Sequence, residues 1–123
     1  AARPLATPQM VERVVNEARK GHAAIPALPV VDTLKRAGDD HRIAGTTDRA
    51  GLWRAQTPQG FPREMIIRAH EHAIATGVEA TDDAALCEML GMPVALVRGS
   101  ERAMKVTEEG DFARLEAWQN LPD

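Results

Sequence analysis

The middle of the chain contains a six-residue stretch that no helix or strand can absorb. Thr57-Pro58-Gln59-Gly60-Phe61-Pro62 holds two prolines and one glycine. Proline lacks the ladder donor and fixes φ, and glycine weakens any regular element, so a loop is required here. The loop separates two differently patterned regions. Before it, from about 29 to 56, the chain is rich in Val, Thr and charged residues; after it, apolar residues recur at helical spacing. The whole chain is 123 residues, room for one domain with a core and too little for two ordinary ones.

In the first region, Thr7-Pro8 reads as a helix start, with a hydroxyl able to accept an orphan N–H and a proline suited to the first helical position. Met10, Val11, Val14, Val15 and Ala18 share a helical face and Gly21 supplies a left-handed stop, which predicts a helix over about 8–20. Residues 22–28 read as a short buried strand that Pro26 interrupts or ends. Two extended runs, about 29–36 and 42–49, flank Gly38-Asp39-Asp40 and read as a hairpin. Neither run has a purely apolar face, so the hairpin should project or pack on a partner, and it is a candidate dimerisation arm. Residues 52–56 read as another strand.

Beyond the loop, Pro62 opens a helix in which Met65, Ile66, Ala69 and Ala73 share a face, and Gly77 ends it. Thr81 is expected to cap a short helix, about 82–90, with Asp82 and Asp83 in its first turn and Gly91 after it. Val94 to Val97 reads as a buried strand and Met104 to Val106 as a second one. Thr107 is expected to cap a last helix whose Phe112, Leu115 and Trp118 point inward. Helices alternating with short strands give the α/β class, with the arm as an insertion.

Composition narrows the partners. The apolar fraction of 44% is ordinary for a folded domain. Four aromatic residues, Trp53, Trp118, Phe61 and Phe112, and a net charge of −3 supply a nucleic-acid surface or an anionic membrane poorly. No apolar run approaches the ~18 residues a membrane span needs, and the first residues contain no signal-peptide core. A single cysteine, Cys87, cannot form an intramolecular disulfide and makes the cytoplasm the default compartment. The chain opens on Ala1 rather than Met, which is expected of a processed protein or part of a longer one.

Few residues carry an obvious chemistry. His70 and His72 are two apart on a helix, face different directions and read as surface side chains. Cys87 lies among Ala84, Ala85, Leu86 and Leu90 and reads as core packing. Asp82-Asp83 could bind a metal, but helix-dipole complementation explains them more simply. The more informative set is scattered: Arg3, Lys35, Arg49, Arg54 and Lys105, with Thr33 and Thr57, all near expected strand ends. Cations and hydroxyls converging at strand ends of an α/β sheet suit phosphate groups.

The ordered motifs also carry a resemblance. Ala1-Ala2-Arg3-Pro4, Ala27-Leu28-Pro29-Val30 leading into Asp32-Thr33-Leu34-Lys35, and Asp48-Arg49 with Gly51-Leu52-Trp53-Arg54-Ala55-Gln56-Thr57-Pro58-Gln59 occur in sequence order. Thr81-Asp82-Asp83-Ala84 and Met104-Lys105-Val106-Thr107 follow. Together they resemble the 2-C-methyl-D-erythritol 4-phosphate cytidylyltransferases. The resemblance implies the C-terminal half of a Rossmann-like nucleotidyltransferase domain, over 1–123, with a β-hairpin dimerisation arm at about 29–50. It implies transfer of a cytidylyl group from CTP to 2-C-methyl-D-erythritol 4-phosphate with release of pyrophosphate, in non-mevalonate isoprenoid precursor synthesis, by a homodimer with a divalent metal such as Mg²⁺. By position, Lys105 and Arg3 match active-site cations, Thr33 and Arg49 match arm residues that reach the neighbouring subunit's site, and Thr57 matches a further substrate contact.

Departures from the family pattern set further expectations. The chain holds no glycine-rich basic loop for CTP, and the aspartate expected as metal ligand would precede Ala1. Ala103 and Met104 stand where the family has a polar residue followed by Ile. On this reading the N-terminal CTP-binding part is absent and the chain alone does not turn over. Two alternatives remain open at the level of sequence: a ribitol 5-phosphate cytidylyltransferase, and a non-catalytic dimerisation module. Continuation past Asp123 into the cyclodiphosphate synthase of the same pathway is a further possibility, because such fusions occur in the family.

Overall fold

A computed structural model of the chain describes residues 2–121. Ala1, which opens the first matched motif, and Pro122-Asp123, past which the fusion partner would follow, lie outside the described residues. The elements are α1 (Pro8–Arg19), β1 (Ala23–Pro29), β2 (Leu34–Ala37), β3 (Ile43–Thr47), β4 (Trp53–Ala55), α2 (Arg63–Thr76), α3 (Asp83–Met89), β5 (Val94–Arg98) and α4 (Gly110–Gln119).

The sheet is built around β1. It pairs in parallel with β5, Ala23 opposite Val94 through Ala27 opposite Arg98, and antiparallel with β4, Ala27 opposite Ala55. Ala23 to Leu28 are all buried, so both faces of this strand are covered, and α1 and α3 each pack against it. The strand runs straight through Pro26, which is fully buried, where the sequence implied an interruption. The register explains how. Gln56 lies opposite Pro26 and donates its N–H to the Pro26 carbonyl at 2.8 Å. The reciprocal bond needs an N–H that proline lacks; the Gln56 carbonyl instead accepts from the side-chain Nε2 of Gln59 at 3.4 Å.

Local chemistry sets the helix ends. The Thr7 hydroxyl accepts from the Met10 N–H at 3.2 Å, and Pro8 occupies the first turn of α1. Met10 and Val14 are buried beneath the sheet, each worth about 1.5–3 kcal/mol of hydrophobic transfer, while Val11 and Val15 on the same predicted face stay exposed. On α2, Gly77 adopts φ +69° and donates its N–H to Ala73 O, ending the helix. Ala69, Leu86 and Cys87 form a small core where α2 meets α3, joined by Phe61, Met65 and Ile66.

Several expectations need correction. The N-cap of α3 is Asp82, one residue after Thr81: its Oδ1 accepts from the Ala85 N–H at 2.9 Å. Met104–Val106 is not a strand; it joins neither edge of the β4-β1-β5 sheet, and Val106 gives its backbone N–H to Ala2 O in the N-terminal segment instead. Thr107 does not cap α4. The cap runs backwards, with Asp111 Oδ2 accepting from the N–H groups of Thr107 and Glu108, both at 3.0 Å. Asp111 and Leu115, one turn apart, take the inward face of α4, so Phe112 is turned out and is 59% exposed.

β2 and β3 pair only with each other, Leu34 opposite Thr47, and stand apart from the sheet. Every residue of β2, and all of β3 but Thr47, is exposed. Two bonds close the stem, Val30 N–H to Leu52 O and Leu52 N–H to Arg49 O, both at 3.0 Å. At the tip, Gly38 N–H donates to Arg42 O at 2.8 Å, and the positive φ of +59° falls on His41.

The central loop closes on the sheet at Gly60, which exchanges both backbone bonds with Ala24 at 2.8 and 2.9 Å. A Cβ at Gly60 would overlap Val14 Cγ1, a buried β-branched side chain with little rotamer freedom. Gly60→Ala should therefore cost about 1–3 kcal/mol, read as a lower urea midpoint with unchanged m-value in the full-length protein. A midpoint equal to wild type would show that Val14 yields without strain.

Candidate functional site

β1 and β5 run parallel, so the chain leaving β5 at Arg98 emerges beside the end of β1 that feeds the hairpin. Residues 99–109 connect β5 to α4 and carry Lys105. The N-terminal segment lies along this connection: Val106 N–H donates to Ala2 O at 2.7 Å, and Arg3 Nη1 to Ala103 O at 2.6 Å. Arg3 Nη2 reaches Ala55 O at 3.4 Å, at the end of β4. Arg3 thus joins three separate segments. Burial lowers its guanidinium pKa from the ordinary arginine value, yet the group stays charged at neutral pH.

The start of the connection is held from β4. Gln56 is 5% exposed, and its side-chain amide bonds Ser100 in both directions: Nε2 donates to Ser100 O at 2.9 Å and Oε1 accepts from Ser100 N–H at 3.0 Å. Gly99 precedes Ser100 because a Cβ there would collide with Gln56 Oε1. The end of the connection is held by Asp111 through Thr107 and Glu108, and the Thr107 hydroxyl adds a bond to Asp111 Oδ2 at 3.3 Å. These donors, first the backbone N–H of Thr107 and then that of Glu108, hold the Asp111 carboxyl below the usual aspartate range. Lys105 therefore sits on a connection tied at its start, middle and end.

The cations singled out from the sequence divide by partner. Arg54 Nη2 is paired with Glu101 at 2.9 Å, so its charge is already compensated. Lys35 Nζ donates to the Thr46 hydroxyl across the hairpin at 2.7 Å. Among the described residues Arg3 and Arg49 bond only neutral carbonyls, Arg49 to Val31 O. Lys105 is exposed and, among the described residues, makes no hydrogen bond or ion pair. Uncompensated cations are the ones an incoming phosphate can neutralise. Arg3 and Lys105 are brought to one connection, and Thr57, exposed, follows directly after Gln56. Thr33 and Arg49 sit apart, in the hairpin stem; among the described residues no hydrogen bond links them to the Arg3–Lys105 group.

The remaining candidates have structural partners. Asp82 Oδ2 accepts from Gln59 Nε2 at 3.0 Å while its Oδ1 caps α3. His70 is exposed and within 2.9 Å of Asp83 Oδ1; His72 is exposed. Cys87 is fully buried, and burial raises its thiol pKa. Among the described residues no group of three His, Cys, Asp or Glu side chains converges to hold a metal ion. Sequence reasoning quoted Gln56 and Gln59 only as motif members and missed what they do. A polar residue ending a short strand directly before a Thr-Pro turn was the available signal, because a buried Gln demands partners on both amide atoms.

Comparison with known proteins identifies relatives of this arrangement. The sequence family described as IspD, 2-C-methyl-D-erythritol 4-phosphate cytidylyltransferase, matches residues 1–120. The chain is 45% identical to the 2-C-methyl-D-erythritol 4-phosphate cytidylyltransferase of Acaryochloris marina, over 94% of this chain and 48% of that protein. It is 46% identical to a bifunctional enzyme IspD/IspF of Anaeromyxobacter sp., over 99% of this chain and 32% of the relative. The crystal structure of the Thermus thermophilus 2-C-methyl-D-erythritol 4-phosphate cytidylyltransferase superimposes with a TM-score of 0.88 at 39% identity, over 98% of this chain and 59% of that one. The chain thus spans about half the length of its single-function relatives and about a third of the bifunctional one.

The Asp111 bonds give a signed pH dependence. Because its folded pKa is depressed, the unfolded chain binds the proton first, so Asp111 contributes stability above the ordinary aspartate range of about 4. That contribution is lost as pH falls through the lower folded pKa. Asp111→Asn should flatten the acid limb of a stability–pH curve and lower the urea midpoint at neutral pH. An unchanged acid limb would contradict the assignment.

Proposed function

The chain belongs to the 2-C-methyl-D-erythritol 4-phosphate cytidylyltransferase family, and from that premise we propose that it forms the alcohol-phosphate side of a cytidylyl-transfer site. In the proposed reaction an oxygen of the 2-C-methyl-D-erythritol 4-phosphate phosphate group attacks the α-phosphorus of CTP. The bond to the β-phosphate breaks and pyrophosphate leaves. Two polyanions must approach, so catalysis rests on charge neutralisation and alignment rather than on a general base. The observation that carries this reading is the exposed Lys105, without a hydrogen bond or ion pair among the described residues, on a tied connection beside Arg3.

Roles follow from that placement. Lys105 neutralises charge on the reacting phosphates. Arg3 commits two donors to Ala103 and Ala55 and offers its remaining N–H groups and its charge to the same anions. Thr57 contacts substrate from the turn after Gln56. Thr33 and Arg49 hold the sugar phosphate in the site of a second copy, the hairpin serving as the arm of a homodimer; the isolation of β2 and β3 from the sheet supports this. A divalent cation, Mg²⁺, belongs to the family reading, but the described residues offer no carboxylate cluster for it, and no step here depends on it. No helix among the described residues is long and apolar enough to cross a membrane, and the proposed compartment is the cytoplasm. The residues of this chain taken alone are not expected to turn over, since the relatives' sequence extends over about twice their length.

Steady-state cytidylyl transfer by the full-length protein tests the roles. Lys105→Ala should lower kcat/KM by roughly 10²–10³-fold, mainly in kcat. Arg49→Ala should raise KM for the alcohol phosphate by about tenfold or more with CTP little affected. Near-normal kcat/KM in both variants would remove the assigned roles, and preference for ribitol 5-phosphate would remove the proposed substrate.

A further inference from the structure

We infer that Gln56 is a positioning residue for Lys105, acting through Ser100 rather than by touching substrate; the inference rests on the cytidylyl-transfer reading above. The side-chain amide of Gln56 pairs with the backbone N–H and C=O of one residue, Ser100, at 3.0 and 2.9 Å. It therefore acts as a one-residue strand partner for the chain leaving β5. Neighbouring residues show the same fit. Gly99 N–H continues to Ala27 O at 3.0 Å, and only the missing Cβ of Gly99 lets the amide approach. Arg54, two residues earlier on β4, pairs with Glu101, the residue after Ser100.

The two Ser100 groups require a side chain that both donates and accepts. A Leu of similar size would leave the half-buried Ser100 N–H and C=O without this partner, and a Glu could accept from the N–H but would face the carbonyl with a second acceptor. With Ser100 released, the connection would keep the Gly99–Ala27 bond, the exposed Arg54–Glu101 pair, its middle tie to Arg3 and its end tie to Asp111, but lose both backbone bonds of Ser100. Lys105, five residues on, would then sample positions away from the phosphates. Misplacement of about 1 Å at a reacting group costs up to 10²-fold. Gln56 also directly precedes Thr57, so one buried side chain fixes two proposed substrate contacts against each other.

The test is a double-mutant cycle in the full-length protein, with hydrogen exchange as a readout independent of turnover. Gln56→Leu should lower kcat by roughly 10–100-fold, and faster amide exchange should be confined to residues 99–106. In a Lys105→Ala background the same change should cost less than about threefold, because a residue acting through Lys105 has nothing left to position. Gln56→Glu, a milder variant for the case in which the Leu protein does not fold, should reproduce the pattern. An equal loss of kcat with and without Lys105, or faster exchange throughout the chain, would overturn the inference and leave Gln56 as a stability residue. If the wild-type protein transfers no cytidylyl group, the functional reading falls. Exchange then decides alone: unchanged protection at 99–106 in both variants overturns the positioning role, and a local loss supports it.

Discussion

Pro26 cannot donate to the residue opposite it, and the organisation of the site follows from how that missing bond is replaced. The residue opposite is Gln56, whose carbonyl takes Gln59 Nε2 instead. Gln59 in turn bonds Asp82 and accepts from the Ala84 N–H at 3.4 Å, fixing the start of α3 against the central loop. The Gln56 side chain, free of any role within β4, holds Ser100. Residues 56–59 therefore join the central strand, the α2–α3 unit and the connection carrying Lys105. A Pro in a central strand normally weakens a sheet; here two glutamines complete the hydrogen bonding around it.

Charge is distributed along the same path. Arg54 and Glu101 neutralise each other where the connection needs a tie, while Arg3 bonds carbonyls and Lys105 bonds nothing among the described residues. A guanidinium bonded only to neutral groups keeps a net positive field, and a cation on a tightly held backbone needs little reorganisation to meet an anion. The proposed phosphate site is thus a short backbone path with one cation woven into it and one projecting from it. The hairpin contributes nothing to this core, since β2 and β3 are exposed and unpaired with the sheet. An isolated two-stranded hairpin is marginal by itself, and a partner covering it, as in the proposed homodimer, would supply the missing burial.

Elements signalled by periodicity and capping were legible in the sequence. Thr7-Pro8 and Gly21 bracketed α1, Gly77 ended α2, and the turn at Gly38-Asp39-Asp40 separated two extended runs. What was not legible depended on partners distant in sequence. Pro26 reads as a break because its compensation lies at Gln56 and Gln59. Met104-Lys105-Val106 reads as a strand because its pattern is apolar–polar–apolar, yet its backbone bond goes to Ala2, more than a hundred residues earlier, rather than to a sheet edge. Thr107 and Thr81 were both plausible caps, and Asp111 and Asp82 captured the donors instead. At the site, motif order singled out Arg3, Thr33, Arg49, Thr57 and Lys105. The positions that hold some of them in place, Gln56, Gly99 and Asp111, became visible only through contacts across 44 residues in one case and a reversed cap in another.

The proposed chemistry depends above all on this tied connection delivering Lys105 to the phosphates undergoing transfer. A crystal structure of the full-length protein with CTP and 2-C-methyl-D-erythritol 4-phosphate bound tests that directly. Lys105 Nζ should lie within about 2.7–3.2 Å of a phosphate oxygen, with the Gln56–Ser100 pair intact. Lys105 directed into solvent, with the reacting phosphates held wholly by other residues, would contradict it.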